Sequence, residues 1–163
     1  MRPIQMVDLK AQYQTIAADV QVAVQHCLDH TAFINGPTVK AFQTHLETYQ
    51  GVRHVIPCAN GTDALQLALM RLNLEVGDEI IVPAFTYVST AEVIGLLRLK
   101  PVLIDVDPAT FNTTAAHIEA AITPRTRAIV PVHLFGQSAD MEPILALAKQ
   151  HQLTVIEDNA QAI

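Results

Sequence analysis

EIIVPAFTYVSTAEVIGLLRLKPVLIDV, residues 79–106, is the stretch of sequence that decides the fold. It begins with a short apolar run over 79–82 and ends with another over 101–106, and both runs are rich in β-branched residues that favour strands. Between them, residues 89–99 have the length and apolar content of a helix of about three turns. A strand, a helix and a second strand in this order form a βαβ unit, so the stretch predicts parallel β-sheet.

The same alternation continues on both sides of this stretch. Further strands are predicted over 52–57, 127–132 and 153–156, and further helices over 62–72, 114–122 and 140–151. Repeated βαβ units predict an α/β fold in three layers, with helices on both faces of a mainly parallel sheet. The apolar spacing near the start predicts two helices instead, over 8–30 and 37–49. We therefore expect an N-terminal helical segment, 1–50, followed by an α/β domain over 51–163.

Charge and cysteine content exclude several classes of protein. The 163 residues carry 10 basic and 16 acidic side chains, a formal net charge of −6, without any long basic run. This balance argues against a nucleic-acid or membrane-surface partner. We find no signal peptide and no apolar run of about 20 residues, so no membrane span is expected. Cys27 and Cys58 match no metal spacing, which indicates reduced thiols in a cytoplasmic protein and no metal site.

The apolar fraction is high for a soluble domain, since 50% of the residues are hydrophobic and only 16% are charged. A parallel sheet buried on both faces has this composition. So does a piece of a larger protein whose apolar faces are covered by further chain or by a partner. Composition leaves both explanations open.

Candidate site residues follow the predicted strands, because ligands of such sheets bind at the carboxyl ends of the strands. Gly61 and Thr62 lie between a strand and a helix, where free N–H groups and the positive end of the helix dipole could hold a phosphate. We expect Thr62 to be able to cap this helix, and an ordinary cap explains the segment equally well. The glycine-rich motifs of dinucleotide and P-loop sites are absent.

The loops after the other strands carry aromatic and carboxylate groups. Tyr87 could lie against a flat heterocycle or could pack in the core. Asp158 ends an apolar run, where a carboxylate needs a cation or hydrogen-bond donors. It could hold a protonated ring nitrogen, with Gln161 reaching a second ring substituent, or it could cap the next helix. His133, a single histidine after a strand, is on its own more typical of a structural or surface group than of a catalyst.

Taken together, six segments resemble one family. In chain order they are VDLKAQY (7–13), INGP (34–37), CANGTDALQ (58–66), VGDEIIVPAFTYVSTAE (76–92), AITPRTRAIVPVHLFGQ (121–137) and VIEDNAQA (155–162). Their order along the whole chain resembles the DegT/DnrJ/EryC1/StrS family of pyridoxal 5′-phosphate (PLP)-dependent nucleotide-sugar aminotransferases. The resemblance implies the large domain of a fold-type-I PLP-transferase and a homodimer. It also implies transfer of an amino group, usually from glutamate, to a nucleotide-linked keto sugar.

The resemblance also implies residue roles. Gly61, Thr62 and Asp63 would bind the cofactor phosphate through backbone N–H groups and the Thr62 hydroxyl. Tyr87 would stack on the pyridine ring, Asp158 would pair with the ring nitrogen, and Gln161 would hydrogen-bond the ring hydroxyl. His133 and Gln137 would lie near the site, and the turn containing Asn35 and Gly36 would lie near the substrate entrance. Within the family, the segments 56–66 and 83–92 resemble most the subgroup that aminates C3 of a UDP-linked sugar or sugar acid for surface polysaccharides.

The sequence departs from the family in one respect. Family members form a Schiff base through a lysine beyond the E-D-x-A-Q motif, and this sequence ends at Ile163 within the continuation of that motif. None of its four lysines, Lys10, Lys40, Lys100 and Lys149, lies where that lysine belongs. We therefore expect a partial large domain without the small C-terminal domain, and no useful activity of the chain alone. The alternative is a truncated, non-catalytic remnant or a module that binds PLP or a partner.

Overall fold

The computed structural model describes residue 4 and residues 7–163. The described residues fall into two compact units, one ending at Pro57 and the other spanning Cys58–Ile163. None of the helices in the described residues is both long and apolar enough to cross a membrane.

The first unit contains two helices, α1 (Leu9–Asp29) and α2 (Pro37–Gln50). Asp8 caps α1 by accepting the Ala11 N–H at 3.0 Å. Pro37 occupies the first position of α2, where its missing N–H costs nothing, and Gly51 ends that helix in the left-handed conformation with φ 64°. No residue of either helix is buried within the described chain.

The strand predicted over 52–57 is wrong. These residues form no strand in the structure. Instead of joining a ladder, the Val55 N–H donates to the Glu47 Oε1 at 3.0 Å. The apolar run raised the expectation of a strand, but a strand also needs backbone pairing, and no ladder of the described residues includes this segment.

The second unit alternates helices and strands, which confirms the predicted α/β class. Its elements are α3 (Gly61–Arg71), β1 (Glu79–Pro83), α4 (Ser89–Leu96), β2 (Lys100–Ile104), α5 (Ala115–Ala121), β3 (Thr126–Ile129), α6 (Met141–His151) and β4 (Thr154–Val155). All described strand pairs are parallel, and their order is β2-β1-β3-β4. An isolated parallel bridge between Val132 and Asp158 follows the pairing of β3 with β4.

The core lies on both faces of this sheet, as the three-layer prediction requires. Alternating β1 side chains point to opposite faces, so Ile80 and Val82 pack in one apolar cluster and Ile81 in the other. The first cluster includes Leu69 of α3, and the second includes Ile144 of α6. Every residue of β1 is buried, in keeping with its position between β2 and β3.

The amino-terminal edge of the sheet carries a charged cluster around the buried Glu79. The carboxylate accepts hydrogen bonds from the Thr123 hydroxyl and from the Lys100 Nζ, the latter at 2.9 Å, and Arg125 Nη2 lies 3.6 Å away. The Thr123 hydroxyl and the Lys100 ammonium hold the pKa of Glu79 below its usual value. This cluster therefore stabilises the ionised carboxylate at the strand starts.

The strand order also locates the ligand edge. From β1 the chain crosses to β2 on one side, and β3 then pairs with β1 on the other side before β4 extends the sheet. The direction in which the chain adds strands to the sheet therefore reverses between β1 and β3. In open parallel sheets, this reversal leaves a crevice outside the carboxyl ends of the two strands, where ligands bind.

Candidate functional site

A cleft of about 290 Å³ opens at this carboxyl edge. The loops after β1, β3 and β4 and the first turns of α3 supply its lining: Gly61, Thr62, Leu65, Thr86, Tyr87, Ser89, Val132, Asp158, Ala160 and Gln161. The structure thus brings together five of the six residues that the resemblance assigns to the cofactor. The volume is at the lower end of the range for small-molecule sites, which suits a compact ligand.

Gly61 and Thr62, in the first turn of α3, line the cleft. Asn60, not Thr62, is the N-cap: its Oδ1 accepts the Asp63 N–H at 2.9 Å, and its carbonyl accepts the Ala64 N–H at 3.1 Å. The prediction that Thr62 could cap the helix is wrong, because Asn60 alone has the extended backbone that a cap requires. Within the described residues, the Gly61 and Thr62 N–H groups and the Thr62 hydroxyl remain available to a ligand.

Asp63 is the one predicted cofactor residue that does not line the cleft. Its N–H is engaged by Asn60, and its Oδ2 accepts from the Asn60 Nδ2 at 3.1 Å. Both hydrogen bonds strengthen the cap that shapes the first turn. Asp63 therefore lies next to Gly61 and Thr62, but its own N–H is already engaged by Asn60.

Tyr87 lines the cleft and does not belong to the core, since 71% of its surface is exposed. The ring of Phe85, two residues earlier, packs near Phe111 instead, with the two ring centroids 5.7 Å apart. The exposed Tyr87 ring is thus free to cover a flat ligand.

Asp158 is held at both carboxylate oxygens. Oδ2 accepts the Thr90 hydroxyl at 3.1 Å, and Oδ1 accepts the Ala160 N–H at 3.2 Å. The main chain is equally fixed, because the Asp158 N–H donates to the Pro131 carbonyl at 2.9 Å and its carbonyl accepts the His133 N–H at 3.1 Å. Asp158 therefore enters the cleft in one defined orientation.

Gln161 is oriented by a single hydrogen bond. Its Oε1 accepts the Phe135 N–H at 2.6 Å. Because this bond occupies the oxygen, the Nε2 amino group is the part left to donate to a ligand in the cleft.

His133 does not line the cleft. The ring is 2% exposed, its Nδ1 accepts the Ala139 N–H at 3.0 Å, and its Nε2 lies 2.9 Å from the Glu157 Oε2. An N–H donor at Nδ1 requires a lone pair there, so the ring proton is on Nε2 and points to Glu157. Both nitrogens are engaged, and His133 serves to fix the loops after β3 and β4.

Gln137 also lies outside the lining, and its side chain is exposed. Its carbonyl accepts the Asn112 Nδ2 at 2.9 Å, while the Asn112 Oδ1 accepts the Leu134 N–H at 3.1 Å. Asn112 is 3% exposed and was missed from the sequence. It fixes the turn over 134–137 that supplies the Phe135 N–H to Gln161.

Asn35 and Gly36 belong to the first unit. Asn35 adopts a left-handed backbone with φ 48°, and Gly36 is the N-cap of α2. A Cβ at Gly36 would come within 2.8 Å of the Ala32 carbonyl oxygen, so the turn needs glycine there. Their position near a substrate entrance stays a prediction.

The second unit contains two lysines, Lys100 and Lys149. Lys100 pairs with Glu79 at the opposite edge of the sheet, and Lys149 lies in the last turn of α6. Neither lines the cleft. The described residues contain no group of three or more His, Cys, Asp or Glu side chains that could hold a metal ion.

The sequence is similar to those of proteins named as nucleotide-sugar aminotransferases. The chain is 47% identical over 159 residues to the UDP-2-acetamido-2-deoxy-3-oxo-D-glucuronate aminotransferase of Pseudomonas aeruginosa, covering 98% of this chain and 44% of that protein.

Solved structures show the same fold. DesV from S. venezuelae, in complex with a ketimine intermediate, superposes with a TM-score of 0.94 at 36% identity, over 99% of this chain and 44% of that chain. The structure of ntda from Bacillus subtilis with bound cofactor PMP superposes with a TM-score of 0.86 at 37% identity, over 90% of this chain and 34% of that chain. The chain thus spans less than half the length of each of these proteins. The likeness confirms the predicted fold class.

The family resemblance is confirmed as well. Residues 14–163 match the sequence model of the DegT/DnrJ/EryC1/StrS aminotransferase family, which is most of the chain. With its parallel sheet, its cleft at the carboxyl edge and this match, the chain belongs to the DegT/DnrJ/EryC1/StrS aminotransferase family.

Proposed function

We propose that the cleft binds PLP and that the protein takes part in transferring an amino group to a nucleotide-linked keto sugar. One observation carries this proposal. The N-terminus of α3 and the carboxylate of Asp158 face the same small cleft, so a phosphate donor set and a partner for a protonated ring nitrogen occur together.

The donor set fits the phosphate of the cofactor. The N–H groups of Gly61 and Thr62 and the Thr62 hydroxyl would donate to its oxygens, and the dipole of α3 favours the negative charge. No described atom lies within 4 Å of a Cβ built at Gly61, so the backbone is open to close approach. Asp63 would join these donors only by exchanging its Asn60 acceptor for the phosphate.

The remaining lining groups fit the ring. Tyr87 would cover one face, Asp158 would accept a hydrogen bond from the protonated ring nitrogen, and the Nε2 of Gln161 would donate to the ring hydroxyl. When bound, PLP supplies an electron sink for the amino-group transfer. The contribution of Asp158 is to keep the proton on the ring nitrogen, which is the state in which the sink is strongest.

For the substrate, we infer a UDP-linked 3-oxo sugar or sugar acid with glutamate as amino donor. The Pseudomonas aeruginosa relative is named for such a substrate, and a relative from Acidithiobacillus ferrooxidans, 48% identical over 160 residues, is named as a UDP-N-acetyl-3-dehydro-alpha-D-glucosamine 3-aminotransferase. Products of this kind suit surface polysaccharide synthesis in the cytoplasm. These assignments are proposals for the whole protein, because the chain spans less than half the length of either relative.

We further propose a homodimer and no turnover by the 163-residue chain alone. Residues of both helices of the first unit expose apolar side chains, among them Ile16, Leu28 and Phe42. Such surface suits a second copy or further chain. Transamination would also need a lysine to hold the cofactor and to move a proton, and neither Lys100 nor Lys149 lines the cleft.

Binding of pyridoxamine 5′-phosphate (PMP) tests the cleft, because PMP has no aldehyde that would react with surface lysines. We expect calorimetric titration of the chain to show one site. Asp158→Asn should weaken it about 10- to 100-fold, since a hydrogen bond to a charged group contributes roughly 1.5–3 kcal/mol. Asp140→Asn is the matched control, because its exposed side chain makes no cap bond. Equal affinities of the wild type and Asp158→Asn would contradict the proposed site.

Turnover is tested separately with PLP, glutamate and a UDP-linked 3-oxo sugar. We expect the chain to give no rate above that of free PLP. A rate above this background would overturn the claim that an additional lysine is needed. PMP binding without turnover supports both proposals, whereas absence of PMP binding would leave the family membership but refute the cofactor site.

A further inference from the structure

Thr90 makes a buried contact with the carboxylate that the proposed function places against the cofactor. Its hydroxyl donates to the Asp158 Oδ2 at 3.1 Å across 68 positions of sequence, and the residue is 1% exposed. Thr90 does not line the cleft. Any effect on a ligand must therefore pass through Asp158.

The two hydrogen bonds of the carboxylate come from independent parts of the fold. Oδ1 is held by the Ala160 N–H, two residues further along the same loop, whereas Oδ2 is held by Thr90 in the first turn of α4. With the local bond alone, the carboxylate could rotate about its side-chain torsions. The bond from α4 fixes the second oxygen, so rotation would break one of the two.

Thr90 is suited to this task. As a β-branched residue in a helix it has few rotamers, and its N–H is directed to the Tyr87 carbonyl at 3.4 Å. Its helix also begins directly after the loop that carries Tyr87. The start of α4 thus contacts Tyr87, which is expected over the ring face. It also carries Thr90, which orients Asp158 at the ring edge.

We propose that Thr90 is a positioning residue that holds Asp158 in the orientation required to keep the cofactor ring nitrogen protonated. This inference rests on the proposed function, because it needs a pyridine nitrogen opposite Asp158. A purely structural Thr90 would only connect α4 with the loop after β4. Its loss would then lower stability without changing the ring nitrogen of a bound ligand.

The test uses PMP labelled with ¹⁵N in the ring and the 163-residue chain. The ¹⁵N chemical shift of bound PMP is followed with pH, together with the dissociation constant. We expect Thr90→Val to weaken binding about tenfold and to make the ring nitrogen lose its proton at lower pH than in the wild type. Thr90→Ser keeps the hydroxyl and should restore both properties.

Thr113→Val is the matched control. Thr113 is 3% exposed, and its hydroxyl has no hydrogen-bond partner in the described residues. The substitution therefore removes a buried hydroxyl that does not hold Asp158. It should leave the ¹⁵N profile unchanged. If Thr90→Val does not fold, Thr90→Ala compared with Thr90→Ser makes the same distinction.

The outcomes separate this inference from the proposed function. If wild-type protein binds PMP with a protonated ring nitrogen and Thr90→Val gives the same affinity and ¹⁵N profile, Thr90 has no positioning role and the cofactor site stands. If Thr90→Ser behaves as Thr90→Val, the hydroxyl is not the acting group and the inference fails. If the wild type does not bind PMP, the proposed function and the role of Thr90 fall together.

Discussion

Substitution of Asn112 by alanine tests how the loops around the cleft are held. Its amide joins two turns, accepting the Leu134 N–H at 3.1 Å and donating to the Gln137 carbonyl at 2.9 Å. Leu134 is 5% exposed, so its N–H would be left buried without a partner, at a cost of about 1–3 kcal/mol. Gln137 is exposed, and water would replace the lost donor there at a cost of roughly 0.5 kcal/mol.

Together these terms predict that Asn112→Ala lowers the free energy of unfolding by about 1.5–3.5 kcal/mol. Urea unfolding followed by circular dichroism measures this, at several protein concentrations so that association is separated from unfolding. Gln150→Ala is the control, because it removes an exposed amide from the surface of α6. PMP binding should also weaken in Asn112→Ala, since the Phe135 N–H that orients Gln161 belongs to the same turn.

A loss below about 0.5 kcal/mol would refute the reasoning, because it is less than one net hydrogen bond contributes. It would mean that water reaches the Leu134 N–H once the side chain is removed. If Asn112→Ala is destabilised but binds PMP with unchanged affinity, the stability prediction holds and the binding prediction fails. The turn would then be stabilised by Asn112 without affecting the orientation of Gln161.

Three further predictions concern the second unit and the surface. Because the pKa of Glu79 is lowered in the fold, its ionised form adds stability above about pH 4.3 that is lost as the pH falls through the folded-state pKa. Glu79→Gln should thus be less stable than wild type at pH 7 and lose less between pH 5 and pH 3 in urea titrations; parallel curves would contradict this. Ile144→Ala should cost about 2–5 kcal/mol, because Ile144 is 0% exposed, whereas Leu145→Ala, at 48% exposure, should cost far less; equal losses would mean that the α6 face is not packed as described. Size-exclusion chromatography should show self-association of the chain through its exposed apolar residues, and a clean monomer with sharp melting would count against it.

The sequence predicted the parts of the fold that depend on local pattern. Helix α6 and strand β1 follow from their apolar spacing, and the observed bounds differ from the predicted ones by one residue. The positions of Tyr87 and Asp158 at one edge also follow from pattern, because parallel strands bring their carboxyl ends together. Gly61 lines the same cleft, although the strand predicted before it does not form.

The features that were missed depend on partners distant in sequence. Asn112 lies in a turn and gives no local signal, since its importance comes from Leu134 and Gln137, 22 and 25 residues away. Thr90 resembles any helix residue until Asp158 is placed beside it. The strand expected over 52–57 failed for the converse reason, because a suitable local pattern found no partner in the described chain.

The reversal of strand order between β1 and β3 has a consequence for folding kinetics. The cleft joins Gly61 to Gln161, which are 100 positions apart, whereas β1 and β2 are linked by a single short crossover. Contacts of such sequence separation form slowly, because the intervening chain must be ordered before they are made. The β1–β2 half should therefore assemble first and the cleft last. A ligand that binds the finished cleft would then stabilise the last step of folding and slow its reversal.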